Sequence, residues 1–115
     1  MKVKKWISYD EGESIEDSIG SIAVLGGFFK KGLRWKDYVE RFDDSVVPYL
    51  EALKEEILDK ELKYTGEDHQ YGEYGTPVFE DGRVFLASMR AWGDLMAAVW
   101  SEELDTDMSY MDFYM

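Results

Sequence analysis

The stretch PVFEDGRVFL, Pro77 to Leu86, can be folded in two ways. Asp81-Gly82 between two Val/Phe pairs matches a two-residue hairpin, whose turn needs backbone angles that Asp-Gly adopts at little cost. In that register Glu80 opposes Arg83 and Phe79 opposes Val84. A helix starting near Gly82 is the competitor, because Phe85, Met89, Trp92 and Met96 also recur at helical spacing. We take the hairpin, which places two strands just before the last helix.

Working outward, Lys2–Tyr9 alternates loosely, with Val3, Ile7 and Tyr9 on one side and Lys2, Lys4 and Ser8 on the other. That predicts a further strand. Asp10–Glu13 reads as the turn after it. Ser14 is positioned as an N-cap with Asp17 three residues on, and Ile15, Ile19 and Ile22 recur at helical spacing. A helix over 15–25 follows, closed by Gly26-Gly27. A second helix spans 33–42 with Trp35, Val39 and Phe42 on one face. A third runs from near Pro48 to about Leu62, with Val46, Leu50, Leu53 and Ile57 as its apolar stripe. Residues 63–76 hold three glycines and no hydrophobic period, so they read as a functional or mobile loop. The last long helix opens at Ser88 or Met89 and reaches about Glu103, burying Met89, Trp92, Met96 and Val99, with Trp100 widening that face. Residues 104–115 form an acidic-aromatic tail of a kind that docks on its own domain or on a partner. The expected fold is α+β: about three antiparallel strands packed with three to four helices in one domain, 1–115.

The 115 residues are enough to bury roughly two thirds of the surface the unfolded chain exposes. A hydrophobic content of 45% and an aromatic content of 16% argue against global disorder. Without cysteine there is no disulfide framework, thiolate nucleophile or sulfur metal site. The basic opening MKVKKW lacks the apolar run of a signal peptide, and neither Ile22–Leu25 nor the longer apolar stretch Leu95–Trp100 is long enough to span a bilayer. A cytoplasmic location is expected.

Motifs for chemistry are sparse. His69, the single histidine, sits in the glycine-rich loop with no serine elbow near it. Asp105-x-Asp107-x-Ser109 begins like a calcium loop, but Tyr110 stands where glycine is required. Asp10, Glu11 and Glu13 form an acidic turn that could gather magnesium only loosely. No glycine follows a phosphate-cradle spacing. Glu61-Leu62-Lys63 has the order of a nuclease tripeptide, in which carboxylates hold magnesium and lysine assists the water. These give a carboxylate–magnesium hydrolase as a remote alternative, and no cofactor or metal is assigned. A basic cluster, Lys30, Lys31, Arg34, Lys36 and Arg41, is interleaved with Phe28, Phe29 and Trp35, but Asp37 and Glu40 interrupt it. Pairing with the acidic half is its expected use.

Charge is the feature that points to a function. The formal net charge is −12, of which residues 51–115 contribute −11. Such a field repels nucleic acid and anionic membrane and attracts cationic surfaces. Glu51, Glu55 and Asp59 fall at i, i+4 and i+8 of the third helix, about 6 Å apart along its axis. Like charges so placed cost roughly 0.2–0.5 kcal/mol per pair. Glu67, Asp68 and Glu73 in the loop, and Glu102, Glu103, Asp105 and Asp107 near the C-terminus, extend the array. Tyr71, Tyr74, Tyr110 and Phe113 lie beside these acids as candidate apolar anchors. A surface made acidic for solubility is the simplest explanation. The functional one is that the carboxylates imitate a phosphate array and occupy the basic groove of a nucleic-acid-binding protein or nuclease. In size and composition the chain is similar to acidic inhibitors carried by phages and mobile elements against restriction or CRISPR nucleases. That similarity is one of charge, and it implies a non-enzymatic DNA mimic. The alternative is a small adaptor that binds a protein through exposed aromatics.

Overall fold

The Asp81-Gly82 hairpin forms, with a longer loop than the two residues expected. Gly82 N–H donates to Phe79 O at 2.9 Å, and Phe79 N–H donates to Arg83 O at 2.8 Å. Gly82 has φ +90. This is a type I turn followed by a glycine bulge, with Glu80-Asp81-Gly82 as a three-residue loop. Phe79 therefore faces Arg83, and Val78 bridges Val84. The register proposed from sequence, Phe79 against Val84, is off by one. Asp81 decides the matter by accepting the Arg83 N–H at 3.0 Å, which fixes the bulged side of the turn.

In the computed structural model, residues 1–8, 10, 11, 14, 20–22, 24, 29–60 and 76–113 are described. Among them β1 (Val3–Ile7) pairs antiparallel with β2 (Thr76–Phe79). The second arm of the hairpin is not a full strand. Val84 makes one antiparallel bridge to Val78 and one parallel bridge to Ser21, so the two-stranded sheet continues only as single bridges. A register shift between Val3 and Lys5 bulges β1. The bulge changes the phase of alternation, so Val3 and Trp6, three residues apart, both pack on the core.

Backbone at Asp10, Glu11 and Ser14 is helical, and Ser8 Oγ accepts the Glu11 N–H at 3.3 Å. The helix thus begins before Ser14, in the segment expected to be a turn. It does not extend to residue 25. Gly20 has φ +113, and Ile22 N–H donates to Val84 O at 2.9 Å, which puts 21–22 beside the hairpin. Residues 15–19, with Ile15 and Ile19, lie outside the described residues; at 20–22 pairing with Val84 replaces the end of the expected helix. Gly26-Gly27 and residues 61–75 lie outside the described residues.

Three further helices lie among the described residues and complete the α+β architecture: α1 (Trp35–Val39), α2 (Val47–Lys60) and α3 (Met89–Glu103), with a 3₁₀ turn, Tyr110–Phe113, after them. α1 is shorter than the span expected for it and buries Tyr38 as well as Trp35. α2 carries the anticipated stripe, with Leu50, Leu53 and Ile57 fully buried. α3 begins where its cap residue says it should: Ser88 Oγ accepts the Ala91 N–H at 3.1 Å. Every residue from Ala91 to Val99 is buried, Asp94 included, so α3 is the axis of the core and not a one-sided helix. No helix among the described residues is long and apolar enough to cross a membrane.

Candidate partner-binding surface

Where the acids of the sequence come to lie follows from how α3 ends. Asp105 N–H donates to Glu102 O at 3.4 Å and Thr106 N–H to Ser101 O at 3.2 Å, while Asp105 itself has φ +49. This is a Schellman closure with aspartate in the left-handed position usually held by glycine. The reversal sends residues 105–113 back along α3. Ser101, fully buried, receives the Met108 N–H on its Oγ at 3.0 Å, and Gly32 N–H donates to Met108 O at 3.0 Å.

Arg34, just before α1, ties this closure down. Its guanidinium donates to Ser101 O and to Thr106 O, the latter at 3.2 Å, and lies 3.3 Å from Asp105 Oδ1 and 3.5 Å from Asp107 Oδ1. The next two residues reach the other acidic groups. Trp35 Nε1–H donates to Glu51 Oε1 at 3.0 Å, and Lys36 N–H donates to Glu102 Oε2 at 3.4 Å. Lys54 of α2 sits 3.3 Å from Glu102 Oε1 and 5.5 Å from the Trp35 ring centroid. Segment 34–36 therefore joins the α2 acids and the C-terminal acids, two sets that are half the chain apart in sequence. Sequence reasoning assigned the basic cluster to internal pairing, and Arg34 has that role. Trp35 as a bridge carries no sequence signal, since its partner is set by tertiary packing alone.

The individual candidates then separate. Glu51, Glu55 and Asp59 are exposed along α2. Glu55 and Asp59, with Lys2, Val3, Glu56 and Lys60, line an open groove of about 300 Å³ beside β1. Asp59 is 3.8 Å from Lys60, which pairs more closely with Glu56, at 2.5 Å. Glu102, Glu103, Asp105 and Asp107 are exposed at the far end of α3. The side chains of Glu55 and Glu103 make no hydrogen bond or ion pair to another described residue. Glu67, Asp68, Tyr71, Glu73 and Tyr74 lie outside the described residues, as do His69 and Glu61-Leu62-Lys63.

The two tail aromatics are half-buried against their own domain. Tyr110 lies beneath the Arg90 guanidinium, 3.3 Å from carbon to ring centroid, and Phe113 packs against the core. Asp94, whose side chain is 3% exposed, fixes Arg90 from one turn along, with both oxygens at 3.2 Å. Beside this cluster the Tyr38 hydroxyl is buried, and its pKa is pushed far up, first by burial and then by the charge of Asp94. Gly93, which admits Tyr110, is the sequence signal for this contact: a glycine inside a helix is costly unless something must come close.

The basic cluster is also interrupted in space. Lys30 and Arg41 share an open hollow of about 480 Å³ with Asp37 and Glu40. Among the described residues no group of three or more acidic or histidine side chains is arranged to hold a metal ion. Compared with protein-family models, with curated proteins and with solved structures, the chain matches none.

Proposed function

We propose that the protein is a non-enzymatic binding protein of the cytoplasm that occupies the basic, nucleic-acid-binding surface of a partner, in the manner of a DNA mimic. The observation that carries this reading is the meeting of the two acidic groups on segment 34–36. Glu51, Glu102, Asp105 and Asp107 meet Trp35, the Lys36 N–H and two cations, Arg34 and Lys54, and Glu55 and Glu103 add charge on the same two helices, so the region keeps an excess of negative charge after internal pairing. Helices present Glu51, Glu55, Glu102 and Glu103, and the closure held by Arg34 presents Asp105 and Asp107, which lowers the ordering cost of binding. A partner with closely spaced Lys and Arg would find anions whose cationic neighbours, Arg34 and Lys54, are engaged within the fold.

The test is charge reversal. Glu55→Lys with Glu103→Lys changes two exposed carboxylates that make no internal bond among the described residues, so the fold should persist. Capture of a nucleic-acid-binding protein from host lysate should fall at least tenfold, while Asp43→Lys with Asp44→Lys, the same charge change elsewhere, should matter far less. Equal loss for both pairs would mean that net charge alone, and no defined surface, governs binding.

A further inference from the structure

Residues 105–113 form a strap that contacts Ser101 beside its hinge and, farther along the chain, Gly32, Arg34, Arg90 and Gly93. The groove that receives it is built from Gly32, Arg34, Arg90, Gly93 and Ser101. Both glycines are shaped to the strap: a Cβ on Gly32 would stand 2.5 Å from Asp107 Oδ1, and one on Gly93 would stand 2.8 Å from Tyr110 Cβ. Ser101 bonds Met108 through its side chain in both directions, at 3.0 and 3.4 Å. Arg34 and Arg90 face an acidic, aromatic segment, so charge and shape both select this sequence.

We propose that a second copy of the chain can supply the strap, giving a dimer in which residues 105–113 are exchanged. The exchange keeps the contacts of residues 107–113, now made in the partner's groove, and alters the hinge with the contacts that Asp105 and Thr106 make there, which is the condition for a low-cost swap. That hinge is Leu104–Thr106, where the reversal depends on a left-handed aspartate, Asp105 at φ +49. An L-residue with a Cβ is disfavoured there relative to glycine. In the open arrangement the chain continues away from α3, and Asp105 returns to ordinary backbone angles. Two chains of formal charge −12 repel each other, so the dimer needs concentrated protein and grows as salt rises. Heterotypic binding through the acidic surface has the opposite salt dependence.

Two substitutions of the full chain, Asp105→Ala and Asp105→Gly, decide the matter, because both remove the same charge and the same Arg34 contact. Alanine penalises the closed hinge and glycine relieves it. Because a dimer contains two hinges, the dimerisation constants should differ by roughly 30-fold in favour of alanine. Light scattering after size exclusion, at micromolar to millimolar protein, measures this. Hydrogen exchange then reports whether the Met108 amide, bonded to Ser101, is as protected in the dimer as in the monomer. Equal constants, an alanine variant that stays monomeric at millimolar concentration, or a dimer with an unprotected Met108 amide would each overturn the proposal.

Discussion

Tyr110 closes on Gly93 so tightly that a Cβ there would lie 2.8 Å from Tyr110 Cβ and 3.3 Å from its Cα and carbonyl oxygen. In an open helix Gly→Ala would stabilise by about 1 kcal/mol. Here the added methyl must push away the backbone of the 3₁₀ turn, an overpacking that costs roughly 1–3 kcal/mol. Gly93→Ala should therefore destabilise by about 1 kcal/mol and loosen the strap. Urea unfolding, together with exchange of the Met108 amide, checks both effects. A variant as stable as the parent would show that the strap yields freely.

Arg34 and Asp105 are partners of unequal weight. The Asp105 side chain is 96% exposed, whereas the Arg34 guanidinium also serves the Ser101 and Thr106 carbonyls. An exposed ion pair contributes about 0–1 kcal/mol. A hydrogen bond from a charged donor to the part-buried Ser101 carbonyl contributes more, about 1.5–3 kcal/mol. Arg34→Ala should thus destabilise by about 2 kcal/mol, and Asp105→Asn, which keeps a residue tolerant of the left-handed region, by less than about 0.5 kcal/mol. Thermal unfolding of the two variants gives the comparison.

The Tyr49 hydroxyl donates to Asp81 Oδ2, tying α2 to the hairpin loop. The bond raises the Tyr49 pKa above its ordinary 10.0, with burial and the charge of Asp81 adding to it. At Asp81, desolvation works upward but is outweighed by the hydrogen bonds from Tyr49 and the Arg83 N–H, so its pKa falls below the ordinary 3.8. The signs define a window. The Asp81 contribution is present above pH 3.8 and is lost as pH falls through its folded value. The Tyr49 contribution is present below pH 10.0 and is lost as pH rises through its folded value. Tyr49→Phe should cost about 1 kcal/mol at neutral pH, allowing for the solvent exposure of Asp81. The difference from the parent should shrink in acid and in strong alkali. A pH-independent difference would assign the effect to packing on Phe79.

Much of the fold is legible in local sequence because local chemistry enforces it. Ser88 caps α3, the Leu50–Leu53–Ile57 stripe buries α2, and Asp81-Gly82 turns the hairpin. Misreadings occur where a non-local partner decides. Val84 draws Ser21 and Ile22 out of a helical period, and the bulge after Val3 re-phases β1. The all-round burial of α3 depends on a strap signalled only by Gly93 in mid-helix. The acidic residues could be found from composition, but their meeting around Arg34–Trp35–Lys36 could not, because it depends on packing between distant segments.

Salt and nucleic acid together test the central claim most directly. A tagged chain is used to capture partners from host lysate, and the bound proteins are eluted either with rising salt or with duplex DNA at constant salt. The account predicts a nucleic-acid-binding protein or nuclease that is released steeply by salt and is displaced by DNA, since anions compete for one basic surface. A partner that survives high salt and ignores DNA would contradict it, and would leave the acidic surface as a means of solubility.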